Sequence, residues 1–311
     1  MSSSKIAIIG AGMAGITAAR TLTAAGHNVQ VFEKSRGSGG RLASKRSDMG
    51  RVNLGAQSFS TDDSAFLEEL HSWQQAGWVE QSTAEQKEWT GTPYMSALTR
   101  NLLGNITTHF ACEIYKLNHS TKGWLLSDQH DHLHGPFQQL IVAIPAPQAQ
   151  ILLKDCAPDL AEHAATVDMQ PVWMVALGFK QPLSSTPYLA HHNGILADII
   201  QTPLADDHPM QTWMLRASVE WSIEHLTDER EQVIATLTEA FAALLATPLP
   251  EHDSAFAHRW RYGLGALKTP VDNLADPQRG LYIAGDWCSH GDVYGAWHSG
   301  QQAAQQILNI L

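Results

Sequence analysis

Three glycines at positions 10, 12 and 15, in GAGMAG, follow the apolar run Ile6-Ala7-Ile8-Ile9 and open an alanine-rich stretch. A strand, a tight turn and a helix with this spacing hold a dinucleotide pyrophosphate. Gly10 permits the turn, Gly12 lets the backbone approach the phosphates, and Gly15 lets the helix pack closely on the strand. The free N–H groups at the helix start, from about Met13, would face the anion. Glu33 ends the second apolar segment, HNVQVFEK, 23 positions after Gly10, where an acid binds ribose hydroxyls. An acid there repels a 2′-phosphate, so FAD or NAD is favoured over NADP. A purely structural strand–helix–strand unit is the plain alternative.

Four further groups can carry chemistry. In EKSRGSGGR, Lys34, Arg36 and Arg41 surround Gly37, Gly39 and Gly40, and Lys45 and Arg46 follow. A basic glycine-rich loop beside a pyrophosphate site wraps a long cofactor, although a solvated basic loop has the same composition. In YIAGDWCSHGDVYGAWHSGQQAA, Asp286 can bond a ribityl or ribose hydroxyl. The amides from Val293 to Ala296 can point a helix N-terminus at a group that becomes negative, such as the N1 and C2-carbonyl edge of a reduced flavin. In HRW, His258 and Trp260 alternate with Arg259, so His258 either orients a bound ring or is a satisfied core histidine. In QHDHLHG, His130, His132 and His134 would share a strand face; beside Gly135-Pro136 a wet hairpin is the preferred reading, and no metal is expected.

The elements that must position these groups are readable along the chain. A helix runs from about Met13 to a glycine stop at Gly26. TDDSAFLEELHSWQQAGW predicts a capped helix with Phe66, Leu70 and Trp73 on one side. NITTHFACEIYKL, GWLLSD and FQQLIVAIP read as successive strands, the last stopped by Pro145 and Pro147; PVWMVALGF and QTWMLRAS are two more. A helix follows at about 228 to 246, burying Val233, Leu237, Phe241 and Leu244. GLYIAGD then returns as a parallel strand before a last helix from about Gly295. Dinucleotide-type elements at both ends imply that a second domain interrupts the first.

Bulk properties narrow the partners. A net charge of −11 argues against nucleic acid and against anionic membrane surfaces, leaving small molecules or other proteins. No run of about 18 apolar residues predicts a transmembrane helix. The apolar start after MSSSK is broken by glycines too often for a signal peptide. Three cysteines without a CxxC pair point to a reducing cytoplasm and away from dithiol chemistry. There is no second GxGxxG after a strand, so a pyridine nucleotide would enter as an ordinary substrate.

Taken together, IAIIGAGMAG, FEKSRGSGGRLASKR, LGAQSF, IVAIPAPQ, HRW and GDWCSHGDVYGAWHSGQ resemble the renalase family, nearly throughout the chain and in the same order. The resemblance implies an α/β protein of the monoamine-oxidase and p-hydroxybenzoate-hydroxylase type. Its FAD-binding Rossmann-like domain (1–60, 105–150 and 270–311) would carry an inserted α+β substrate domain (61–104 and 151–269). It implies noncovalent FAD, with Cys288 not attached to it, and cofactor contacts at Ala14, Glu33, Lys34, Arg41, Gln57, Ser58, Asp286 and Val293. Gly10, Gly12, Met13, Gly15, Gly40, Ala56, Ile114, Ala143 and Ala296 complete the expected cofactor set. The expected substrate set is Ser58, Phe59, Asp62, Met95, His258 and Trp260. The implied activity is oxidation of dihydronicotinamide dinucleotides that carry the hydride at an unusual ring position, with O2 reoxidising the flavin to give H2O2.

The chain departs from that family at GAQSFSTD, where Ser58 replaces an aromatic and Asp62 an arginine. The stretch before EWTGTPYMS is short, and ADIIQTPLADDHP replaces a basic segment. Aligning YGAWHSG on amine oxidases puts Asp292 where they carry a cage tyrosine. An amine oxidase or desaturase with an apolar substrate, and a flavin-bound regulatory module, are the competing expectations.

Overall fold

The opening strand, glycine loop and helix form where the spacing predicts. In the computed structural model, which describes residues 4–81, 87–183, 194–202, 209–245 and 247–311, Lys5–Ile9 is a strand, Met13–Ala24 a helix and Asn28–Glu33 a second strand. The chain leaves this helix through Gly26, at φ 89°. The strands pair in parallel, Ile6 opposite Val29 and Ile9 opposite Phe32. Gln139–Val142 flanks the first strand on its other side and Leu281–Ile283 lies beyond it, again parallel. Both are buried throughout, the continuous burial expected of central parallel strands. Thr107–Phe110 and the antiparallel Leu274–Asp276 close the two edges of this six-stranded sheet.

NITTHFACEIYKL, read as one strand, is two. Ala111 takes a positive φ of 53°, and the chain passes from the sheet edge into Ile114–Ser120, the first strand of a separate antiparallel sheet with Gly123–Asp128 and Leu133–Phe137. Helix Ser64–Gln75 buries Phe66, Leu70 and Trp73 as its periodicity requires. The Asp63 carboxylate caps it by accepting from the Phe66 N–H at 2.9 Å, a contact of about 1 kcal/mol.

Packing divides the chain into two units. The first takes the residues through Ala43, Ser58–Asp168 and Gly265–Leu311; the second takes Ser44–Gln57 and Met169–Leu264. These boundaries differ from the expected ones. Residues 61–104 and 151–168 belong with the six-stranded sheet, because Phe66 stacks on Trp297 of the last helix (ring centroids 4.8 Å apart) and Arg20 of the first helix donates to the Leu102 carbonyl at 3.2 Å. That last helix, Val293–Leu308, lies so close to the first that a Cβ on Gly300 would meet the Ala14 carbonyl oxygen at 2.2 Å. The hairpin Ser44–Ser47 and Gly50–Asn53 goes to the second unit instead, where Met49 and Val52 are buried.

The second unit is a four-stranded antiparallel sheet in the order Leu196–Thr202, Gln211–Ala217, Gln170–Phe179, Ser254–Leu264. Period-two alternation sorts its residues. Trp173, Val175, Leu177, Phe179, Trp213 and Leu215 pack against Val233, Leu237 and Phe241 of helix Arg230–Ala242. On the opposite face Val172, Met174, Ala176 and Met214 meet the hairpin's Met49 and Val52. The strand PVWMVALGF is therefore buried on both sides, which its unbroken apolar run anticipates.

Candidate functional site

In the first unit the two glycine-rich loops lie against each other. Gly10 has φ 105°, and a Cβ there would meet the Ala143 carbonyl oxygen at 2.3 Å, so only glycine fits between the first strand and its neighbour. A Cβ on Gly12 would meet nothing within 4 Å. Gly12 begins helix Met13–Ala24 with no side-chain cap, and the Ile16 amide is the first to find an intrahelical acceptor. The Met13, Ala14 and Gly15 amides thus have no acceptor among the described residues, as an anion site requires. The Gly39 amide donates to the Ala11 carbonyl at 2.8 Å, and a Cβ on Gly40 would stand 3.6 Å from the Gly12 Cα.

Glu33 ties these loops together. It is 8% exposed, and its two carboxylate oxygens accept from the Ala11 and Ser35 amides, each at 2.8 Å. Each oxygen keeps a further acceptor site for a hydroxyl. Lys34 beside it is exposed. Arg41, in the short turn Gly40–Leu42, forks onto Asp286: Nη1 donates to Oδ2 at 2.7 Å and Nη2 to Oδ1. Asp286 is 4% exposed, so its charge is compensated inside the fold. Two residues singled out 245 positions apart are brought into contact.

At the head of the last helix the expected four amides reduce to two. The Asp292 carboxylate accepts from the Gly295 N–H at 2.6 Å and its carbonyl from the Ala296 N–H, which removes Ala296 as an amide donor to a ligand. Val293 and Tyr294 keep free amides among the described residues. The Tyr294 hydroxyl donates to Asp63 at 3.2 Å while its ring packs on His290 and Phe66.

Other expected contacts of this unit sort by burial. Met95 is 0% exposed and its sulfur accepts the Gly91 N–H at 3.0 Å, which makes it a core residue. Phe59 is likewise interior, paired to Trp89 through both backbone amides and stacked on Phe66. Ile114 is buried at a strand start. Ser58 donates to the Glu88 carboxylate at 2.9 Å, and Asp62 stands in solvent, 3.7 Å from the Lys87 ammonium. Cys288 is fully buried and its thiol is pushed up to about 12 by that burial, which leaves no thiolate to attack a flavin.

In the second unit, Gln57 folds the segment after the hairpin by donating from Nε2 to the Asn53 and Gly55 carbonyls, both at 2.9 Å, with Ala56 half-buried beside it. His258 and Trp260 share a face of Ser254–Leu264, their rings edge to face at 4.4 Å. Trp260 donates from Nε1 to the Leu54 carbonyl at 2.7 Å, whereas His258 Nε2 is buried with no partner among the described residues. Burial first, then the charges of Arg230 and Lys45, hold the His258 imidazole below its ordinary value of 6.5, in its neutral form.

The sequence reading missed what surrounds that histidine. Lys45 and Arg46 belong to the hairpin and not to the glycine loop, and the Lys45 ammonium sits 4.1 Å over the Phe256 ring. Met174 and Met214 line the same sheet face with Met49 and Met210. Met174 was visible as the even partner of Val172 in PVWMVALGF; the hairpin's cue was the turn Asp48-Met49-Gly50.

With this geometry in view, comparison with known proteins is informative. Residues 8–71 match the NAD(P)-binding Rossmann-like domain, and residues 84–308 match the flavin-containing amine oxidoreductases. The chain belongs to the flavin-containing amine oxidoreductase family. The cradle of Gly12, three free amides and the buried Glu33 acceptor fits a dinucleotide, and FAD is the cofactor of this flavin-containing amine oxidoreductase. Its fold is that of a protein assigned as a protoporphyrinogen oxidase from Exiguobacterium sp. 255-15 (TM-score 0.76, 12% identity, 100% of both chains covered). It is also that of cyclohexylamine oxidase from Brevibacterium oxydans IH-35A (TM-score 0.67, 12% identity, 99% of both chains). Like them in fold, this flavin-dependent oxidoreductase combines a Rossmann-like domain with an amine-oxidase domain. Among the described residues no helix is long and apolar enough to cross a membrane.

Proposed function

We propose that this flavin-containing amine oxidoreductase is an oxidase for dihydronicotinamide dinucleotides carrying the hydride at an unusual ring position, the activity that the renalase resemblance implies. Bound FAD supplies a hydride acceptor at N5, and O2 takes up the electron pair as H2O2. The Met13–Gly15 amides would hold the pyrophosphate, Glu33 the adenosine ribose, the Arg41–Asp286 pair the ribityl chain, and the Val293 and Tyr294 amides the carbonyl edge of the flavin. Substrate chemistry would then rest on stacking and orientation, with no protein nucleophile.

One observation carries the choice of substrate class. At the head of the last helix, where amine oxidases carry a cage tyrosine, the position is Asp292, and its carboxylate is committed to the Gly295 amide. A capping carboxylate cannot form an aromatic wall, and the Tyr294 hydroxyl is held by Asp63. The alternative, an amine or other apolar substrate, draws support from family membership and from the methionine-rich sheet face beside Trp260. The segment ADIIQTPLADDHP, whose loss of basic character motivates weak dinucleotide affinity, lies partly outside the described residues.

Anaerobic mixing decides between these readings. Isomeric dihydronicotinamide dinucleotides should bleach the visible flavin band rapidly, whereas the ordinary isomer and a panel of amines should not. Rapid bleaching by an amine with none by the isomers would transfer the protein to the amine-oxidase reading. No bleaching by any of them would make it a regulatory flavoprotein.

A further inference from the structure

The hairpin expected around His130, His132 and His134 forms between Gly123–Asp128 and Leu133–Phe137, and it is built around a carboxylate. Asp128 ends Gly123–Asp128 and is 5% exposed. Its Oδ1 accepts from the His130 and His132 amides at 2.9 and 3.1 Å, which fixes the carboxylate plane and turns Oδ2 the other way. Around Oδ2 stand His134 Nε2 at 3.0 Å, His132 Nδ1 at 3.3 Å and the Cys112 sulfur at 3.9 Å. The same sulfur lies 3.9 Å from His134 Nε2. The buried thiol is thus equally far from both neighbours and bonds strongly to neither. Cys112, Asp128 and His134 form the one group of at least three metal-ligating side chains, with ligand atoms within 4.8 Å of one another, among the described residues.

We propose that Cys112, Asp128 and His134 bind a transition-metal ion of the Zn2+ class, with His132 or water in the fourth position. Zn–S bonds of about 2.3 Å and Zn–N and Zn–O bonds of about 2.0–2.1 Å put tetrahedral ligand atoms roughly 3.3–3.6 Å apart. The present 3.0–3.9 Å spacings therefore need adjustments of only about 0.3 Å to close on an ion. Charge balances as well. Binding replaces the Cys112 S–H bond by S–Zn and releases the proton to water, so one thiolate and one carboxylate neutralise the dication while the imidazole stays neutral. The two backbone amides on Asp128 Oδ1 hold the ligand in place, as outer partners of metal ligands do. His132, whose side chain is 72% exposed, can turn inward, and the partly exposed His134 edge gives the ion a way in. The Cys112 amide donates to the Glu33 carbonyl at 2.9 Å, so the ion would brace the strand end that carries the ribose acid.

The test uses the full FAD-loaded protein, stripped with a chelator and titrated with Zn2+ against a chromophoric competitor. A single tight equivalent should bind and raise Tm. Cys112→Ala and His134→Gln should each weaken it by at least about tenfold, and His132→Ala, on an exposed side chain, by less. Co2+ in place of Zn2+ should add a thiolate-to-metal charge-transfer band to the difference spectrum, reporting Cys112 ligation in the unaltered protein should a variant fail to fold. Absence of tight binding, affinity indifferent to Cys112 and His134, or bound Co2+ without that band would each overturn the proposal. None of these readouts depends on the oxidase activity.

Discussion

The Glu33 carboxylate holds two loop amides and has acceptor sites left for a ribose, and substitution separates the two roles. In Glu33→Ala both amides lose their acceptor. Ser35 is exposed and its N–H turns to water, but Ala11 is 0% exposed, so its amide remains stranded at a cost of about 1–3 kcal/mol. Glu33→Gln keeps one carbonyl oxygen. That oxygen serves Ala11 while the amide group meets the solvent-accessible Ser35 side, so stability falls by about 1 kcal/mol or less. Affinity behaves differently. Exchanging a charged acceptor for a neutral one costs about 1–1.5 kcal/mol per hydroxyl, which is about tenfold in Kd for one ribose hydroxyl and about a hundredfold for two. Urea unfolding of the apoprotein measures the first effect, and quenching of FAD fluorescence on titration into the apoprotein measures the second. The Gln variant should be nearly as stable as the parent and bind FAD ten to a hundred times more weakly, by the same estimate of about 1–1.5 kcal/mol per bond. A Gln variant that binds FAD within twofold of the parent would show that the carboxylate does not reach the ribose.

Other substitutions report on other parts of the site. Arg41→Met strands Asp286 at 4% exposure and should cost about 3 kcal/mol in urea unfolding, the low end for a broken buried pair because the Arg41 side chain is 29% exposed; a loss under about 1 kcal/mol would refute that role. His258 has a folded pKa below its ordinary 6.5, so below pH 6.5 the unfolded chain takes up a proton that the folded one refuses. Stability should therefore fall as pH drops from 6.5 towards that lower value and stay level above it, and His258→Gln should flatten the acid limb of the unfolding profile. Asp62→Arg should change stability by no more than about 0.5 kcal/mol, since the side chain is 93% exposed, yet tighten dinucleotide binding at low salt and lose that gain as salt rises. Unchanged affinity at low salt would place Asp62 away from the substrate.

What could be read from the sequence followed locality. Gly10, Gly12, Gly15 and Glu33 act through a unit of consecutive elements, and Phe66, Leu70 and Trp73 through one helix, so spacing alone exposes them. The Arg41–Asp286 contact was approached from both sides, each residue chosen for its own loop, but no local pattern says that they meet. Asp292 shows the limit: it was weighed against a tyrosine of other proteins, while its work as a helix cap needed only the glycine three residues on. Met95 and Phe59 pack in the interior, and an apolar residue beside a glycine motif looks the same in sequence whether it lines a ligand or a core. The split at Ala111 and the turn that gathers His130, His132 and His134 around Asp128 depend on single positive φ angles, at Ala111 and Asp131, which no periodicity announces.

The approach of Gly300 to the Ala14 carbonyl has a bearing on how the protein is made. The first helix of the nucleotide unit is covered by the helix that begins at Val293, and the strand Gln139–Val142 lacks one neighbour until Leu281–Ile283 arrives. A growing chain on the ribosome thus carries the complete GAGMAG loop long before its helix has a lid. Asp286, onto which Arg41 forks, and the Val293 and Tyr294 amides are also still untranslated. The second unit, closed by residue 264, can fold while synthesis continues, whereas the nucleotide unit must wait. Flavin capture is on this account a step that follows translation of the last helix.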